Sequence, residues 1–301
     1  MSDNHVVLRA VTKEFDGTAA VNQVDLELKA GQCVALAGHN GAGKSTMIKL
    51  MLGLLRPTHG QIEVLGRDPM DSASEARRSV GYLPETVALY PAMTGIETLA
   101  YYARLKGQSP ARNIALLERV GIAQAARRRV GGYSKGMRQR LALAQALLGE
   151  PQVLFMDEPT TGLDPASRQV FYEIVRELRD RGATILLCSH ALAELEGQAD
   201  RIVIMKNGSK VADGTLGALR QQADMPVTIR VALAQPLADV AALPPQWQVA
   251  GPFMLELRCK PQEKVTALKN IWTLGAEIAD IDVVQPGLDE MYAHFLRREE
   301  A

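Results

Sequence analysis

A glycine-rich loop between a buried strand and a helix constrains this chain most. The run QCVALAG is apolar over the length of one strand, and STMIKLMLGLL follows it with a helical pattern. The residues between them fit GxxxxGK[ST] in full, the pattern of a loop whose backbone N–H groups surround phosphate oxygens. This phosphate loop comprises Gly38, His39, Asn40, Gly41, Ala42, Gly43, Lys44, Ser45 and Thr46. We therefore expect a nucleoside triphosphate here, with Lys44 on its β- and γ-phosphates and Ser45 on Mg²⁺.

Two carboxylates follow a second buried strand. VLFMDEP carries Asp157 and Glu158 to the carboxyl end of that strand, the edge at which sites in parallel sheets form. Asp157 is predicted to hold Mg²⁺ through water, and Glu158 to act as the general base on the attacking water. His190 ends a further apolar strand, ATILLCSH, where a donor could meet the γ-phosphate, although a lone histidine there is more often structural. Lys44, Glu158 and His190 are thus the candidate catalytic residues.

A second helix start in the chain also has the chemistry of an anion site. In YSKGMRQRLALAQALLGEP, Ser134 and Gly136 precede a helix-forming run, and the N-terminus of a helix attracts negative charge. This segment lies far from the phosphate loop in the sequence. The residues alone do not say whose phosphate it contacts.

The order of the predicted elements indicates an α/β protein with two domains. Continuous apolar strands alternate with helices up to about residue 222, which predicts a mostly parallel sheet between helices. Two alternating stretches near the start, HVVLRAVTKEF and AVNQVDLELKAG, are typical of half-buried strands. Residues 86–148 are predicted as a helical subdomain, and residues 223–301 as a small α+β domain.

Three helices are predicted with defined buried faces. The helix after the phosphate loop should extend through Leu55, with one face formed by Ile48, Met51, Leu52 and Leu55. In the second domain, one helix should bury Val265, Leu268 and Ile271, and the last helix should bury Leu288, Met291 and Phe295. The stretch ALAELEGQAD after His190 is also predicted as part of the alternation of strands and helices.

Composition limits the classes of partner. Lys plus Arg and Asp plus Glu both total 34, so the formal net charge is zero, which argues against a general nucleic-acid binder. The three cysteines are far apart and form no CxxC or Cys/His cluster, which fits a reducing cytoplasm. No run approaches the ~18 apolar residues of a spanning helix. If the chain works at a membrane, another subunit must supply the membrane part.

The order of phosphate loop, YSKGMRQR, VLFMDEP, GLD and SH resembles the ATP-binding subunit of an ABC transporter over about residues 5 to 220. The resemblance implies a P-loop ABC ATPase with Mg²⁺-ATP, in which an antiparallel β subdomain and a helical subdomain accompany the parallel sheet. It implies a peripheral place on the cytoplasmic face of the inner membrane beside a polytopic permease. It also implies a head-to-tail dimer of two copies, in which Ser134 and Gly136 contact the ATP held by the other copy. Gly162, Leu163 and Asp164 would couple the two sites, with Asp164 also near the nucleotide.

Phe15 matches the aromatic residue that stacks on adenine in this family. It ends the alternating stretch in KEFDG, so a core position in a strand is the alternative, since aromatic residues favour strands. The resemblance implies the stacking role.

Two departures from the family pattern affect predicted contacts. The usual signature LSGGQ is here Tyr133-Ser-Lys-Gly-Met137, in which Lys135 replaces a glycine and Met137 the glutamine. Ser134 and Gly136 remain, so contact with the partner's ATP is still expected. VGYLPE places Glu85 where the family has a Mg²⁺-sensing glutamine. A carboxylate is also a hard oxygen ligand, but its charge beside the γ-phosphate weakens the case for direct coordination, and a solvated loop acid is the alternative.

The segment after Glu85 offers a surface for a partner. ETVALYPAMTGIETLAYYARLKG carries Leu89, Tyr90 and Met93 around a proline, and in the family this region receives the coupling helix of the permease. Local core is an equal alternative from the residues alone.

Within the family, GYLPE, YSKGMRQRLALAQALLGEP, LCSH and the tail QPGLDEMYAHFL look like the ATPase of the nitrous-oxide-reductase maturation system. That Nos-type resemblance implies a role in copper–sulfur centre assembly and contact, through the permease, with a periplasmic copper-handling protein. The ATPases of drug or polysaccharide exporters share many of these sequence segments. A soluble ABC ATPase on ribosomes or DNA, and a regulatory ATPase whose tail binds a ligand, are further alternatives.

Overall fold

The computed structural model describes residues 3–71, 75–236, 243–274 and 277–298. The chain divides into two compact units, Met1–Asp213 and Gly214–Ala301. The sequence places this boundary slightly later, at residue 222. The intervening helix, Leu216–Ala223, packs on the last helix of the second unit, which explains why it belongs there.

A six-stranded sheet, counted over the described residues, forms the centre of the first unit. Its strands are β3 (Cys33–Ala37), β5 (Val80–Leu83), β6 (Val153–Asp157), β7 (Thr184–Ser189), β8 (Arg201–Lys206) and β9 (Ser209–Gly214). They lie in the order β5-β6-β7-β3-β8-β9, and the pairs from β5 to β8 are all parallel. β3, β6 and β7 are buried along their whole length, as expected of strands covered on both faces.

An antiparallel sheet lies beside this centre. It consists of β1 (Asn4–Phe15), β2 (Thr18–Lys29) and β4 (His59–Val64), with β1 in the middle. The first two strands are those predicted from alternation. The third, HGQIEV, was not predicted, because only two of its residues are buried and its alternation is short. Apolar residues of these strands share one core with β3 and with the helix after the phosphate loop.

Along the chain, the helices of the first unit connect the strands of the parallel sheet. They are α1 (Lys44–Met51), α2 (Gly95–Leu105), α3 (Asn113–Arg119), α4 (Lys135–Ala146) and α5 (Pro165–Asp180). α2 begins with a capping box, in which the Thr94 hydroxyl accepts from Glu97 N and the Glu97 carboxylate accepts from Thr94 N. α2, α3 and α4 fall inside residues 86–148, where the sequence predicts a helical subdomain.

α1 ends earlier than the sequence predicts. The helix stops at Met51, because Gly53 adopts a positive φ of 67° and terminates it. Gly53 N donates to Leu50 O at 3.0 Å and Leu54 N donates to Lys49 O at 2.8 Å, which is a Schellman motif. A side chain on Gly53 would meet Pro69 O at 2.1 Å. The prediction that the helix continues through Leu55 was therefore wrong.

The second unit is a small α+β domain. Its sheet contains β10 (Val227–Leu233), β11 (Trp247–Gly251), β12 (Met254–Cys259) and β13 (Ile278–Val284), in the order β11-β12-β10-β13. Its helices are α6 (Leu216–Ala223), α7 (Lys264–Asn270) and α8 (Leu288–Arg298). Its core includes Val231 and Leu257 from the sheet and Ile271 from the 3-10 turn directly after α7.

Helix burial in this unit differs from the prediction at one position. Leu288, Met291 and Phe295 of α8 are buried, as predicted. Val265 of α7 is instead 58% exposed. Ala267, Leu268 and Ile271 contact the core, and Val265 projects about a third of a turn away from them.

The stretch after His190 is also less helical than predicted. Only Leu192–Leu195 forms a 3-10 turn, with Leu192 and Leu195 buried. In the part of the chain that the structure describes, no helix is long and apolar enough to cross a membrane.

Candidate nucleotide site

The phosphate loop, Asp157, Glu158 and His190 converge at the carboxyl edge of three neighbouring strands. In the register of the sheet, Ala37 of β3 lies opposite Ser189 of β7, and Asp157 of β6 lies opposite Cys188. The phosphate loop, Glu158 and His190 directly follow these strand ends. Segments distant in the sequence therefore open onto one edge of the sheet, as expected for a parallel α/β protein.

The phosphate loop closes around the side chain of Lys44. Lys44 is only 7% exposed, and its Nζ donates to Gly38 O at 2.5 Å and to His39 O at 3.1 Å. Gly43 has a φ of 99°, and a side chain there would meet Ala20 O at 2.4 Å, so only glycine fits this position. The loop thus holds an ammonium group at the start of α1, where backbone N–H groups favour an anion.

Ser45 and Asp157 form a pair beside this loop. The Ser45 hydroxyl donates to Asp157 Oδ2 at 2.8 Å, across 112 residues of sequence. Burial raises the pKa of the Asp157 carboxyl, while the hydrogen bond from Ser45 and the charge of Lys44 act in the opposite direction. A hydroxyl and a carboxylate at this separation are the hard oxygen donors that suit Mg²⁺.

Glu85 lies close enough to this pair to act on it electrostatically. The Glu85 charge raises the pKa of Asp157, after the larger effect of burial. Burial raises the pKa of the neighbouring Tyr82 to about 12, with further contributions from Asp157 and Glu85. Glu85 itself is exposed in the loop after β5. Direct coordination of Mg²⁺ by Glu85 stays a prediction.

Glu158 and His190 form a second pair. His190 Nδ1 lies 2.7 Å from Glu158 Oε2, with the Glu158 side chain 9% exposed and that of His190 65% exposed. Glu158 has a positive φ of 49°, and its N–H donates to Cys188 O at 2.9 Å, which fixes the turn directly after β6. A buried carboxylate oriented by an imidazole is an arrangement suited to a general base.

The buried thiol of Cys188 shows how close these groups lie. Burial raises its pKa well above the usual value, Asp157 and Glu158 raise it further, and Lys44 lowers it. The charges of Asp157, Glu158 and Lys44 therefore all act on the Cys188 thiol.

Comparison with known proteins identifies the family. Residues 21–161 match the family model described as "ABC transporter". Over 98% of its length the chain is 35% identical to the daunorubicin resistance ATP-binding protein DrrA3 of Streptomyces coeruleorubidus, covering 96% of that protein. The chain belongs to the ABC transporter family. This ABC ATPase is also 41% identical over 224 residues to the Nod factor export ATP-binding protein I of Bradyrhizobium sp. (strain SNU001), covering 73% of each chain.

Solved structures agree with this assignment and confirm the P-loop ABC ATPase fold. The structure of an ATP-binding subunit of an ABC transporter superposes with a TM-score of 0.68 at 35% identity, over 72% of this chain and 92% of the other. A bacterial Atm1-family ABC exporter with ATP bound gives a TM-score of 0.67 at 26% identity, over 74% of this chain and 40% of the exporter. The chain is an ATP-binding subunit of the ATP-hydrolysing ABC type.

The signature segment of this ABC ATPase begins α4. Ser134 is exposed, and its hydroxyl caps the helix by accepting from Met137 N at 3.2 Å. A side chain on Gly136 would lie 3.1 Å from Gly162 O, so the signature packs closely on the GLD segment of its own chain. The stem of Lys135 covers Gly162, which has a φ of 80°. The replacement of glycine by Lys135 therefore adds a packing contact between these two segments.

Asp164 has a structural use in this chain. It is the N-cap of α5, accepting from Ser167 N at 2.9 Å and from the Ser167 hydroxyl at 2.8 Å. These hydrogen bonds lower the pKa of its carboxyl, which favours the charged form. The predicted role of Asp164 at the nucleotide stays a prediction.

Phe15 is not a core residue. It ends β1, is 44% exposed, and has the Lys13 ammonium 5.0 Å from its ring centroid. An exposed ring at this position leaves a face free for a planar partner, as adenine stacking requires.

We expect Phe15→Ala to raise KM for ATP several-fold, since an aromatic pair is worth about 0.5–1.5 kcal/mol. Phe15→Tyr is the matched control and should retain the wild-type KM, because it keeps the ring. Steady-state ATPase measurements would compare the three proteins. An unchanged KM in Phe15→Ala would show that the base stacks elsewhere.

Sequence reasoning missed three residues that connect the site segments. Thr160, Arg168 and Glu194 form contacts between the loop after β6, the start of α5 and the turn after β7. No local signal in the sequence indicates these contacts, because the three residues lie in separate segments that meet only in the fold.

Proposed function

We propose that this ABC ATPase hydrolyses Mg²⁺-ATP to drive a separate membrane permease that exports a small organic molecule. The observation that carries this proposal is the meeting of the Ser45–Asp157 and Glu158–His190 pairs beside the phosphate loop. Export is supported by DrrA3, named for daunorubicin resistance, whose similarity extends through the second unit, since it covers 98% of this chain.

The residues divide the chemistry among them. Lys44 would bind the β- and γ-phosphates, and Ser45 with Asp157 would hold Mg²⁺, which neutralises phosphate charge when bound. Glu158 would accept a proton from the attacking water, and His190, which contacts the Glu158 carboxylate, would orient that carboxylate and donate to the γ-phosphate. Within the described residues, no three His, Cys, Asp or Glu side chains are grouped to hold a metal ion.

Two copies would form the working unit. Ser134 is exposed and Gly136 is half-buried at the start of α4, which leaves this helix start available to a partner's γ-phosphate. Gly162, Leu163 and Asp164 lie directly beside this helix start and would transmit closure between the two sites. ATP then stabilises the closed pair, and hydrolysis releases it.

The permease would dock on the helical subdomain. A cavity of about 440 Å³ between β5 and α2 is lined by apolar residues such as Val87, Leu89 and Leu105. At its margin Tyr90 is 56% exposed and stacks edge-on against Tyr101, and Leu105 is 67% exposed. The exposure of Tyr90 favours docking over the alternative of local core. A permease here would hold the protein at the cytoplasmic face of the inner membrane.

A Nos-type role is the narrower candidate. It rests on the sequence phrases GYLPE, YSKGMRQRLALAQALLGEP and LCSH and on the tail QPGLDEMYAHFL. The relatives described above are named for drug resistance and Nod factor export instead. In a Nos-type system, copper handling would belong to the permease and a periplasmic copper-handling protein. This subunit would drive the permease by hydrolysing ATP.

Capture of the permease tests the proposal. Tagged Glu158→Gln protein, purified in mild detergent with Mg²⁺-ATP, should retain a polytopic membrane protein identified by mass spectrometry. Adding Leu105→Glu should abolish capture without changing ATP affinity, because the new charge lies on the exposed rim of the docking cavity.

Each outcome of this capture assigns the partner. A periplasmic copper-handling protein in the same complex would favour the Nos-type role. A permease without it would favour small-molecule export. Ribosomal proteins or DNA in place of a permease would overturn the proposed function.

A further inference from the structure

We propose that Arg168 and Glu194 are positioning residues, which hold His190 against Glu158 and link the GLD segment to that pair within one chain. This inference rests on the proposed function, since it concerns the geometry of the same hydrolytic site. It assigns a role to a pair of charged residues that are not among the predicted site residues.

The Glu194 carboxylate contacts two different segments. One oxygen forms an ion pair with the Arg168 guanidinium, and the other accepts from the Thr160 hydroxyl at 3.2 Å. Arg168 also donates through Nε to Leu163 O at 3.2 Å. The turn after β7, the loop after β6 and the start of α5 are thereby joined at a single carboxylate.

Only three residues separate His190 from Glu194, and hydrogen bonds fix both ends of this turn. Ala191 N donates to the Ser189 hydroxyl at 3.0 Å, and Glu194 N donates to Ala191 O at 3.1 Å. Leu192 and Leu195 are buried and anchor this turn. A displacement of Glu194 should therefore displace His190 as well.

The path from Glu194 to Glu158 is equally direct. Thr160 is 6% exposed, and the loop that contains it is closed by Thr161 N donating to Glu158 O at 3.2 Å. Leu163 N donates to Thr160 O at 3.1 Å, which continues the same tight loop towards Asp164. Both members of the Glu158–His190 pair are thus connected to Glu194.

The Arg168–Glu194 ion pair contributes little to the stability of the fold. The Arg168 and Glu194 side chains are 41% and 28% exposed, and ion pairs with this much solvent contact contribute only modestly to the free energy of unfolding. α5 has its own cap at Asp164 and a buried face that includes Phe171 and Ile174. Loss of the ion pair should leave the fold intact while loosening the two loops.

Glu194→Ala and Arg168→Ala should each lower kcat about 10- to 100-fold, because small misplacements of reacting groups reduce rates by up to this factor. The Kd for ATP should stay within about twofold of wild type, since Lys44, Ser45 and Asp157 are untouched. Arg168→Lys keeps the charge and should recover most of kcat. Steady-state ATPase rates and fluorescent-ATP titration would supply the two values.

Glu177→Gln is the matched control. Glu177 also lies on α5 and forms ion pairs with Arg119 and Arg181, at 42% exposure, but it contacts no loop of the site. Its loss should leave kcat unchanged. Adding Glu194→Ala to His190→Ala should lower kcat by less than the full effect of Glu194→Ala alone, since part of the effect of Glu194 acts through His190.

Three results would overturn the positioning role. Glu194→Ala could leave kcat unchanged while Glu158→Gln abolishes hydrolysis, which would leave the proposed function standing. Glu194→Ala and Glu177→Gln could lower kcat and Tm in parallel, which would indicate a merely structural pair. The effects of Glu194→Ala and His190→Ala could instead add in full. By contrast, an unchanged kcat in Glu158→Gln would contradict the proposed function itself.

Discussion

Replacing Glu158 with glutamine is expected to lower kcat for ATP hydrolysis by about 10²- to 10⁴-fold, the range supplied by a general base. Glutamine matches the shape of the side chain and can still contact His190, but it cannot accept the proton of the attacking water. Binding of Mg²⁺-ATP should persist, because Lys44 and the Ser45–Asp157 pair are unchanged. Phosphate-release kinetics would measure the loss.

The same variant should accumulate as an ATP-bound dimer. Without hydrolysis the closed pair has no route to release, so light scattering in saturating Mg²⁺-ATP should report a doubled mass. Glu85→Gln, in the loop after β5, restores the residue usual in the family and should not trap the dimer. A Glu158→Gln protein that stays monomeric would contradict the closing mechanism, whereas one with wild-type kcat would contradict the assignment of the base.

Replacing Lys44 with alanine should raise the Kd for ATP by about 10- to 100-fold. A hydrogen bond to a charged group contributes about 1.5–3 kcal/mol, and the Lys44 ammonium is aimed into the loop by Gly38 O and His39 O. The loss also leaves these carbonyls without their donor, so some disorder of the loop should add to the effect. Fluorescent-ATP titration would measure the affinity.

Lys49→Ala is the control for Lys44. Lys49 lies in the last turn of the same helix but is exposed, so its removal tests the general loss of one positive charge from α1. It should leave the Kd within about twofold of wild type, as expected for a screened surface charge. Equal effects of the two variants would show that Lys44 acts only through net charge rather than by direct phosphate contact.

The positions of the phosphate loop and the two carboxylates at strand ends follow from local signals in the sequence. A glycine loop between an apolar strand and a helix has few ways to fold, and the carboxylates follow directly from the end of β6. Their meeting at one edge follows from the parallel order of the strands. The sequence also predicts the buried face of α8 correctly.

Features that depend on contacts between distant segments were not predictable. The end of α1 is set by Gly53 packing against Pro69 O, and the run of leucines alone suggests a longer helix. β4 has a weak pattern of its own and exists because β1 supplies its hydrogen bonds. Glu194 gains its significance from Arg168 and Thr160, and no local pattern around it indicates both partners.

The position of β3 in the sheet has a consequence for folding during synthesis. β3 carries the phosphate loop, yet its neighbours are β7 and β8, which come more than a hundred residues later in the chain. A growing chain therefore carries a complete phosphate loop long before that loop has a sheet to support it. Since domains fold as units and distant pairing is slow, ATP turnover should begin only when synthesis has passed Lys206. The topology thus delays a supported nucleotide site until most of the first unit has been synthesised.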